Sequence, residues 1–515
     1  MTELAGSYGG QQLKKHVEAL NDLIWKCNVI TLDRLLLCMS LRAFEGNNSK
    51  VCILISMLLL EKPEFKQRVD EFVAENSPEH WKQSDWHSKH TAFLQKHPEK
   101  LFFEHLEQQP NVPVPISNQY LPVYFSNICL RFVPVIDIII HRFIELPSVP
   151  ISVETLLDRI APLHKFHDRP ITFLYQTLHF YEHKLRDRPN VRKKLVHSVI
   201  GSFKDIRSPN WALTDQYISY MNRSDAAGQG EAVQWVPDLD YYIKIIGRMV
   251  DTLAGTNVPF PHMDWRFNEF QNVSSHALHV TCIELMALPV PASVVAGSLL
   301  DVCLIGHKVI PRNSIESWMN AVGLVLTAMP DSYWSVLLEK ILEFMSCPEL
   351  KTPGLLTDPF RVMDFKGSHA SMNENQISYM IAMTHAVWHH ASVGQVSLLA
   401  DFLSQRVKPE MQTEEQFLFI CTLLGPFLQR FYVERTRIVM DVTTKLYEFL
   451  GIIDNKCEKL RYMDSICDLL YHIKYMFTGD SVKNEVEPII RNLRPQLQLR
   501  LRFITHHNVD EVTAS

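Results

Sequence analysis

The sequence predicts an all-α protein: an α-solenoid of stacked antiparallel helix pairs, HEAT-like, joined by long Pro-rich loops. Three observations favour it. Apolar residues recur at helical spacing along most of the chain, and helix pairs recur about every 35–45 residues. No segment shows sustained alternation of apolar and polar residues bounded by turn signals. Because an amphipathic helix cannot bury its apolar stripe alone, each helix needs neighbours on the same side.

Residues 413–482 show the helical pattern most clearly. The apolar spacing there predicts three successive helices. Gly425 and Pro426 should end the first helix, because proline lacks an amide hydrogen and clashes with the preceding turn. Gly451 is expected to cap the second helix, and Gly479 should close the third.

Elsewhere the spacing and the prolines predict further helices, at 172–185, 191–203, 241–253, 275–288, 292–304, 314–329, 332–345 and 376–390. We expect one helical region over residues 1–515, with sub-blocks 1–107, 123–223, 235–348 and 376–507. The connectors are 108–122, 224–234 and 349–375. Four prolines in the first connector forbid a helix there, and the second connector is small, polar and glycine-bearing.

Charge and hydropathy argue against two classes of partner, nucleic acids and membranes. The formal net charge of the 515 residues is -6, which argues against a broad surface for a nucleic-acid backbone. The longest apolar runs, 51–60 and 133–140, are shorter than the ~20 residues that span a bilayer. We therefore expect no direct nucleic-acid binding and no membrane span.

The ten cysteines include no Cys-x-x-Cys pair, and most lie in apolar runs. This is typical of small core residues in a reducing compartment. The first ten residues lack the charged and apolar regions of a secretory signal. An intracellular protein is expected, and these features leave the nucleus and the cytosol both open.

One short motif suggests catalysis. His179, Glu182 and His183 match the H-x-x-E-H pattern of inverzincins. The two histidines lie one helical turn apart and could bind one zinc ion, while Glu182 could act as general base. The competing interpretation, two histidines on the surface or in a groove of a solenoid helix, is favoured because the pattern is short and the chain has 23 histidines. We therefore assign no catalytic residue, metal ligand or cofactor.

Other candidate side chains also have a structural and a functional interpretation. The pairs His276 with His279 and His385 with His389, the latter beside His390, could bind metal but fit ordinary helix packing. The aromatic loop 260–270 could bind a partner or fold under the stack. Two basic clusters could form solvated helix faces or contact an acidic partner segment, namely Arg192-Lys193-Lys194 and the set Arg491, Arg494, Arg500 and Arg502.

Several long stretches resemble a known family. They are 76–81, 165–170, 264–270, 276–288, 385–390, 425–431, 434–437, 471–482 and 499–506. Together they are similar to the C-terminal part of the Mediator complex subunit 23 family of metazoans. The family's full subunit is longer on the N-terminal side, so we expect a fragment or a short isoform. Residues 224–234 and 347–366 diverge from the family pattern.

The resemblance implies a non-enzymatic scaffold in the tail region of Mediator, acting in the nucleus. It implies contacts with other Mediator subunits and with DNA-bound transcription activators, and through them an indirect link to RNA polymerase II. We expect short amphipathic activation segments to fold into an apolar groove with basic rims. Two alternatives are a helical adaptor of transport or vesicle traffic, and the zinc hydrolase described above.

Overall fold

The computed structural model describes residues 10–42, 49–75, 136–142, 144, 151–166, 169–201, 203, 215–226, 235–255, 270, 272–364, 372–433, 436–474 and 481–505. Within these ranges the regular secondary structure is helical and contains no strand. The all-α prediction is therefore confirmed for the described residues. The chain divides into two compact units, Met1–Leu213 with Asn257–Pro289, and Thr214–Thr256 with Val290–Ser515.

The first unit contains eight of the longer described helices: α1 (Gly10–Trp25), α2 (Leu32–Arg42), α3 (Ser49–Leu60), α4 (Pro63–Glu75), α5 (Ile151–Ile160), α6 (Pro170–Lys184), α7 (Pro189–Ile200) and, later in the chain, α10 (Val273–Met286). Proline occupies the first position of α4, α6 and α7, where its missing amide hydrogen has no intrahelical acceptor. Helix α6 packs against α7 and α10. Leu174, Leu178 and Tyr181 of α6 are buried.

The second unit contains α8 (Asp215–Ala226), α9 (Leu239–Leu253), α11 (Ala292–Leu304), α12 (Ile315–Ala328), α13 (Asp331–Met345), α14 (Met372–His390), α15 (Glu414–Phe431), α16 (Thr436–Lys456), α17 (Met463–Lys474), α18 (Ser481–Ile490) and α19 (Pro495–Thr505). Most helices pack against the next one or two along the chain, as α11 does with α13, α12 with α14 and α17 with α19. Stacked repeats have this near-neighbour pattern, and the solenoid itself stays a prediction.

Most predicted helix positions agree with the structure to within three residues, and the predicted helix 292–304 has the observed bounds of α11. The prediction that Gly425 and Pro426 end a helix is wrong, because α15 continues through both. The prediction of a cap at Gly451 is also wrong. Helix α16 continues to Lys456 because its apolar face extends to the buried Ile453.

Two predicted connectors contain helix. The stretch 349–375 includes the short helix Pro359–Met363, most of the short helix Pro348–Lys351 and the start of α14. Helix α8 extends to Ala226, into the predicted connector 224–234. Among the predicted features, the connector 108–122, the family-like stretch 76–81, residues 260–269 of the aromatic loop, and Gly479 lie outside the described residues.

The cysteines agree with the sequence-based interpretation in part. Cys52, Cys282, Cys303, Cys421 and Cys467 are buried and have free thiols. Burial raises the pKa of the Cys282, Cys303 and Cys421 thiols, so each stays protonated as a small apolar residue. Cys27 and Cys38 are instead exposed on the first unit.

Side chains from neighbouring segments bind the carbonyl groups that helix C-termini leave without an intrahelical donor. Gln395 Nε2 donates to the Thr327 carbonyl near the end of α12 at 3.3 Å. Gln416 Nε2 donates to the Met345 carbonyl at the end of α13 at 2.7 Å. Arg430 donates to the Trp388 carbonyl near the end of α14.

Arginine provides the same contact at other helix ends. Arg494 Nη2 donates to the carbonyls of Asp454 and Cys457, at 2.8 Å and 2.7 Å, at the end of α16. In the first unit, Arg192 Nη2 donates to the Met286 carbonyl at the end of α10 at 2.6 Å. A guanidinium is favoured there because a helix C-terminus carries partial negative charge.

The start of α15 holds several segments of the second unit in place. Thr413 and Gln416 form a capping box, and the Thr413 hydroxyl also donates to the Leu350 carbonyl at 2.5 Å. Glu415 accepts the Gly354 amide hydrogen at 2.7 Å. Glu414 accepts two backbone hydrogen bonds at 2.7 Å and 3.0 Å from the link between α16 and α17. These four consecutive side chains are buried, and each is satisfied by backbone groups.

Gly354 is a position where glycine is required. Its φ of 75° lies in the left-handed region, which side chains rarely adopt. A Cβ there would overlap the guanidinium of Arg461. The turn therefore brings its backbone close to Arg461 while its amide hydrogen reaches Glu415.

Helices α12 and α14 approach closely at Gly323. A Cβ on Gly323 would lie 2.8 Å from the carbonyl carbon of Ala386 and 2.9 Å from its oxygen. Small residues at both positions thus allow backbone-to-backbone contact between these helices.

We predict that Gly323→Ala lowers the free energy of unfolding by about 1–3 kcal/mol, because the methyl group would force α12 and α14 apart. Gly297→Ala on α11 is the matched control, since its Cβ would meet no atom within 4 Å. It should raise stability by about 0.5–1 kcal/mol through helix propensity. Urea denaturation of the full chain measures both, and equal effects would contradict the close-contact explanation.

Candidate functional site

The second unit contains a cleft with a volume of ≈ 350 Å³. Residues from α12, from α14 and from the end of the short helix Pro359–Met363 line it. They are Glu316, Met319, Met363, Asp364, Ile381, Ala382, His385 and Ala386. The lining residues are far apart in sequence, so the fold creates this site.

The floor and the rim of the cleft differ in chemistry. Met319, Met363 and Ile381 are largely buried and form an apolar floor. Methionine is unbranched and flexible, which lets such a surface adapt to different apolar groups. Glu316 and Asp364 are exposed at the cleft and give it an acidic rim.

His385 lies in the wall of the cleft and bonds to α15 behind it. Its Nε2 is 2.8 Å from the Thr422 carbonyl oxygen, so Nε2 carries the hydrogen. Pro426 explains why this carbonyl is available: a residue at 426 would normally donate to the carbonyl four residues earlier, and proline has no N–H. Burial lowers the pKa of His385, which favours the neutral ring.

Two further contacts join α14 and α15 at this point. Trp388 Nε1 donates to the Leu423 carbonyl at 2.9 Å, next to the carbonyl that His385 binds. Arg430 donates in the opposite direction, to the Trp388 carbonyl. Together these bonds satisfy backbone groups on both helices and allow α15 to continue through Pro426.

The three residues of the inverzincin-like pattern lie in different environments. Glu182 is 5% exposed and its Oε2 is 2.6 Å from Arg192 Nε, whereas His183 is exposed. The ring of His179 lies 4.4 Å from that of Tyr175. The structure therefore places Glu182 in a buried ion pair between α6 and α7. In the described ranges, no group of three His, Cys, Asp or Glu side chains is placed to hold a metal ion.

The pair His276 and His279 belongs to an aromatic cluster between α6 and α10. Tyr175 lies between His179 and His279, with the His279 ring centroid at 4.6 Å, and Phe270 contacts both His276 and His279. His279 Nδ1 donates to the Ser275 carbonyl at 2.8 Å, and burial lowers the pKa of His279. His179 of the first predicted pair and both histidines of the second thus meet here through aromatic packing.

His385, His389 and His390 do not converge. His385 binds the Thr422 carbonyl of α15, while His390 Nε2 lies 2.7 Å from Asn320 Oδ1 on α12. His389 is exposed. Burial, and to a lesser extent the neighbouring His389 and Arg430, lower the pKa of His390 to about 4.

Both predicted basic clusters contain residues that form ion pairs within the chain, some buried and some at the surface. Arg192 pairs with Glu182, and Lys194 lies 3.7 Å from Glu154. Near the C-terminal end, Glu487 lies 3.2 Å from Arg491 and 3.1 Å from Arg502. The remaining pairs are Arg494 with Asp454 and Arg500 with Asp464. Arg192, Arg494, Arg500 and Arg502 thus pair with carboxylates of other helices, whereas Arg491 pairs with Glu487 four residues earlier.

Comparison with known proteins decides the family. The family model for Mediator complex subunit 23 matches residues 1–479. The relative "Mediator of RNA polymerase II transcription subunit 23" of Danio rerio is 54% identical over 98% of this chain and 36% of its own length. The corresponding Homo sapiens protein is 53% identical over 98% and 37%, and that of Aedes aegypti is 50% identical over 99% and 35%.

The chain belongs to the Mediator complex subunit 23 family. It spans 36% of the length of the Danio rerio relative, a little over a third. Among the described residues of this family member, no helix is long and apolar enough to cross a membrane.

Two of the stretches that resemble the family meet in space. Residues 385–390 provide His385 and Trp388, whose partners Thr422 and Leu423 lie three and two residues before the stretch 425–431. That stretch also provides Arg430, which binds the Trp388 carbonyl. Both stretches therefore have a structural reason for their unusual residues.

Sequence reasoning did not find the acidic cleft. Met319 and Glu316 lie on α12, whereas Met363, Asp364 and Ile381 come more than 40 positions later. Glu316 does carry one local signal, an acidic residue in a first helical turn, but such residues are common for helix stability alone.

We predict that His385→Phe lowers the free energy of unfolding by about 1–3 kcal/mol, because the Thr422 carbonyl loses its donor. In a Pro426→Ala background the same change should cost less, since the new amide hydrogen can serve that carbonyl. A double-mutant cycle by urea denaturation measures this coupling. The control His389→Phe, at an exposed position of α14, should change stability by less than ~0.5 kcal/mol. Purely additive effects of His385→Phe and Pro426→Ala would contradict the assignment.

We predict that His390 makes stability depend on pH. Its folded pKa of about 4 lies below the ordinary histidine value of 6.5, so its neutral form is favoured by folding. The contribution is complete above about pH 6.5 and is lost as pH falls toward 4. His390→Gln should remove this part of the pH dependence of unfolding, measured by urea denaturation at several pH values. An unchanged profile would show that another group is responsible.

Proposed function

We propose that the chain acts as a non-enzymatic helical scaffold within the Mediator coactivator complex, in its tail region and in the nucleus. It docks other Mediator subunits along its helix faces and helps link DNA-bound transcription activators to RNA polymerase II. Membership in the Mediator complex subunit 23 family carries this proposal. We also propose that the chain corresponds to the C-terminal part of the subunit.

The internal bonding of the described helices supports a scaffold. Helix ends are held by side chains such as Arg494 and Gln416, and charged groups such as Glu414 are buried against backbone donors. Such an arrangement favours a single rigid packing, because moving one helix leaves buried polar groups without partners. A rigid body is suited to holding other proteins at fixed positions.

Exposed apolar side chains provide surface for such docking. Leu499 and Phe503 lie one turn apart on α19 and are 52% and 47% exposed, and Tyr471 on the adjacent α17 is 43% exposed. Large apolar side chains grouped at a surface are typical of contacts with another protein. We propose that this patch contacts a neighbouring Mediator subunit.

The buried ion pair of Glu182 weighs against the zinc-hydrolase alternative. A general base must reach a metal-bound water, and this carboxylate is held by Arg192 in the interior. The structure gives no observation that favours an adaptor of transport or vesicle traffic.

We predict that the tagged full chain, added to nuclear extract, co-purifies with several Mediator subunits. Crosslinking mass spectrometry should place some of the crosslinks on α17 and α19. A double variant, Leu499→Glu with Phe503→Glu, should weaken co-purification by about tenfold or more if the patch forms part of the interface.

The matched control for this experiment is Leu398→Glu, which replaces a similarly exposed leucine, 55% exposed, elsewhere in the second unit. It should co-purify as the unmodified chain does. Recovery of no Mediator subunit with the unmodified, folded chain would overturn the proposed function. In a parallel experiment with cytosolic extract, recovery of transport or vesicle-traffic proteins would favour the adaptor.

A further inference from the structure

The acidic rim of the cleft between α12 and α14 differs from the basic rim expected of a site for acidic activation segments. Glu316 and Asp364 are the two acidic side chains that line it, and His385 is the remaining titratable group in the lining. The ring of His385 is neutral because burial lowers its pKa, and it is directed to the Thr422 carbonyl. The cleft therefore presents negative charge around an apolar floor.

The walls of this cleft are fixed before any ligand arrives. Helix α14 is held to α15 by His385 and Trp388, and to α12 by the backbone contact at Gly323. The segment leading to the short helix Pro359–Met363 is anchored on the start of α15 through the Leu350 carbonyl and the Gly354 amide. A site with walls held in this way loses little conformational entropy when a ligand binds.

The volume limits what can enter. A cleft of ≈ 350 Å³ is at the lower end of the range of ligand pockets, ~300–1,000 Å³, so it holds one or two side chains rather than a whole helix face. The floor of Met319, Met363 and Ile381 suits a large apolar side chain. Carboxylates beside such an anchor attract lysine or arginine and repel aspartate or glutamate.

We propose that this cleft binds a short peptide segment of a partner protein in which a large apolar residue is flanked by lysine or arginine. The inference rests on the proposed scaffold function and names the chemistry of one partner. The apolar side chain enters the cleft between α12 and α14. The flanking cations lie against the exposed Glu316 carboxylate at the rim.

The test uses the full chain and two synthetic fluorescein-labelled peptides, measured by fluorescence anisotropy. One peptide has a central phenylalanine flanked by lysines, and the other has the same phenylalanine flanked by glutamates. The lysine peptide should bind more tightly, and its affinity should fall with rising salt concentration because the rim charges are exposed. Equal or tighter binding of the glutamate peptide would overturn the proposal.

Variants localise the binding to the cleft. Glu316→Gln should lower the affinity for the lysine peptide by about 2- to 5-fold, the range expected for loss of one exposed ion pair. Asp331→Asn is the matched control, because it is also an exposed acidic residue in a first helical turn, on α13, and does not line the cleft. It should leave affinity unchanged, and equal effects of the two variants would refute binding at the cleft.

Filling the cleft provides a second, independent measurement. Ala382→Trp should reduce binding of the lysine peptide by about tenfold or more, because the indole occupies the space for the apolar side chain. Circular dichroism and thermal unfolding establish that the variant is folded, and if it is not, charge reversal by Glu316→Lys replaces it. Full binding by a folded Ala382→Trp chain would overturn the proposal. If the chain co-purifies with Mediator subunits but does not bind the lysine peptide, this inference is refuted and the proposed function is unaffected.

Discussion

Helix α15 is the element on which the second unit depends, and its bonds to neighbouring backbone groups explain why. At its start, Thr413 to Gln416 bind the end of α13, the turn at Gly354 and the link between α16 and α17. Further along, the carbonyls of Thr422 and Leu423 accept donors from α14. Buried polar groups left unpaired are costly, so these bonds fix the positions of all the segments they join. The floor and walls of the cleft are consequences of that arrangement.

The use of polar side chains to close helix ends also determines what remains for partners. Arg192, Arg430 and Arg494 each bind carbonyls at the end of another helix, where a cation is favoured by the helix dipole. A basic residue committed to an internal carbonyl and a carboxylate is not available to attract an acidic segment. For this reason a cluster of arginines in the sequence does not by itself mark a basic surface. In this protein the charge at the described cleft is acidic instead.

The fold class and most helix positions could be predicted from the sequence, because helical periodicity and proline are local signals. The continuation of α15 through Pro426 could not. Proline removes the donor for the Thr422 carbonyl, and only the fold shows that His385, 37 positions earlier, supplies another. The cleft could not be predicted for the same reason, since Glu316 and Asp364 are far apart in sequence and line one cleft only after folding. Helical periodicity does not show which hydrogen-bond partner, distant in sequence, pairs with a given polar group.

The same bonds connect the stability of this unit to its capacity for recognition. His385 stabilises α15 through its bond to the Thr422 carbonyl, and it also forms part of the cleft wall. The residue that permits an internal proline therefore also shapes a surface. Because α14 is held from both sides, by α15 and by Gly323 of α12, the α12 and α14 walls of the cleft cannot separate without breaking these contacts. Its selectivity must then come from shape and charge that exist in the free protein. A scaffold that binds by preformed sites of this kind discriminates partners by the charge flanking an apolar anchor, and it does so without a conformational change that would disturb its other contacts.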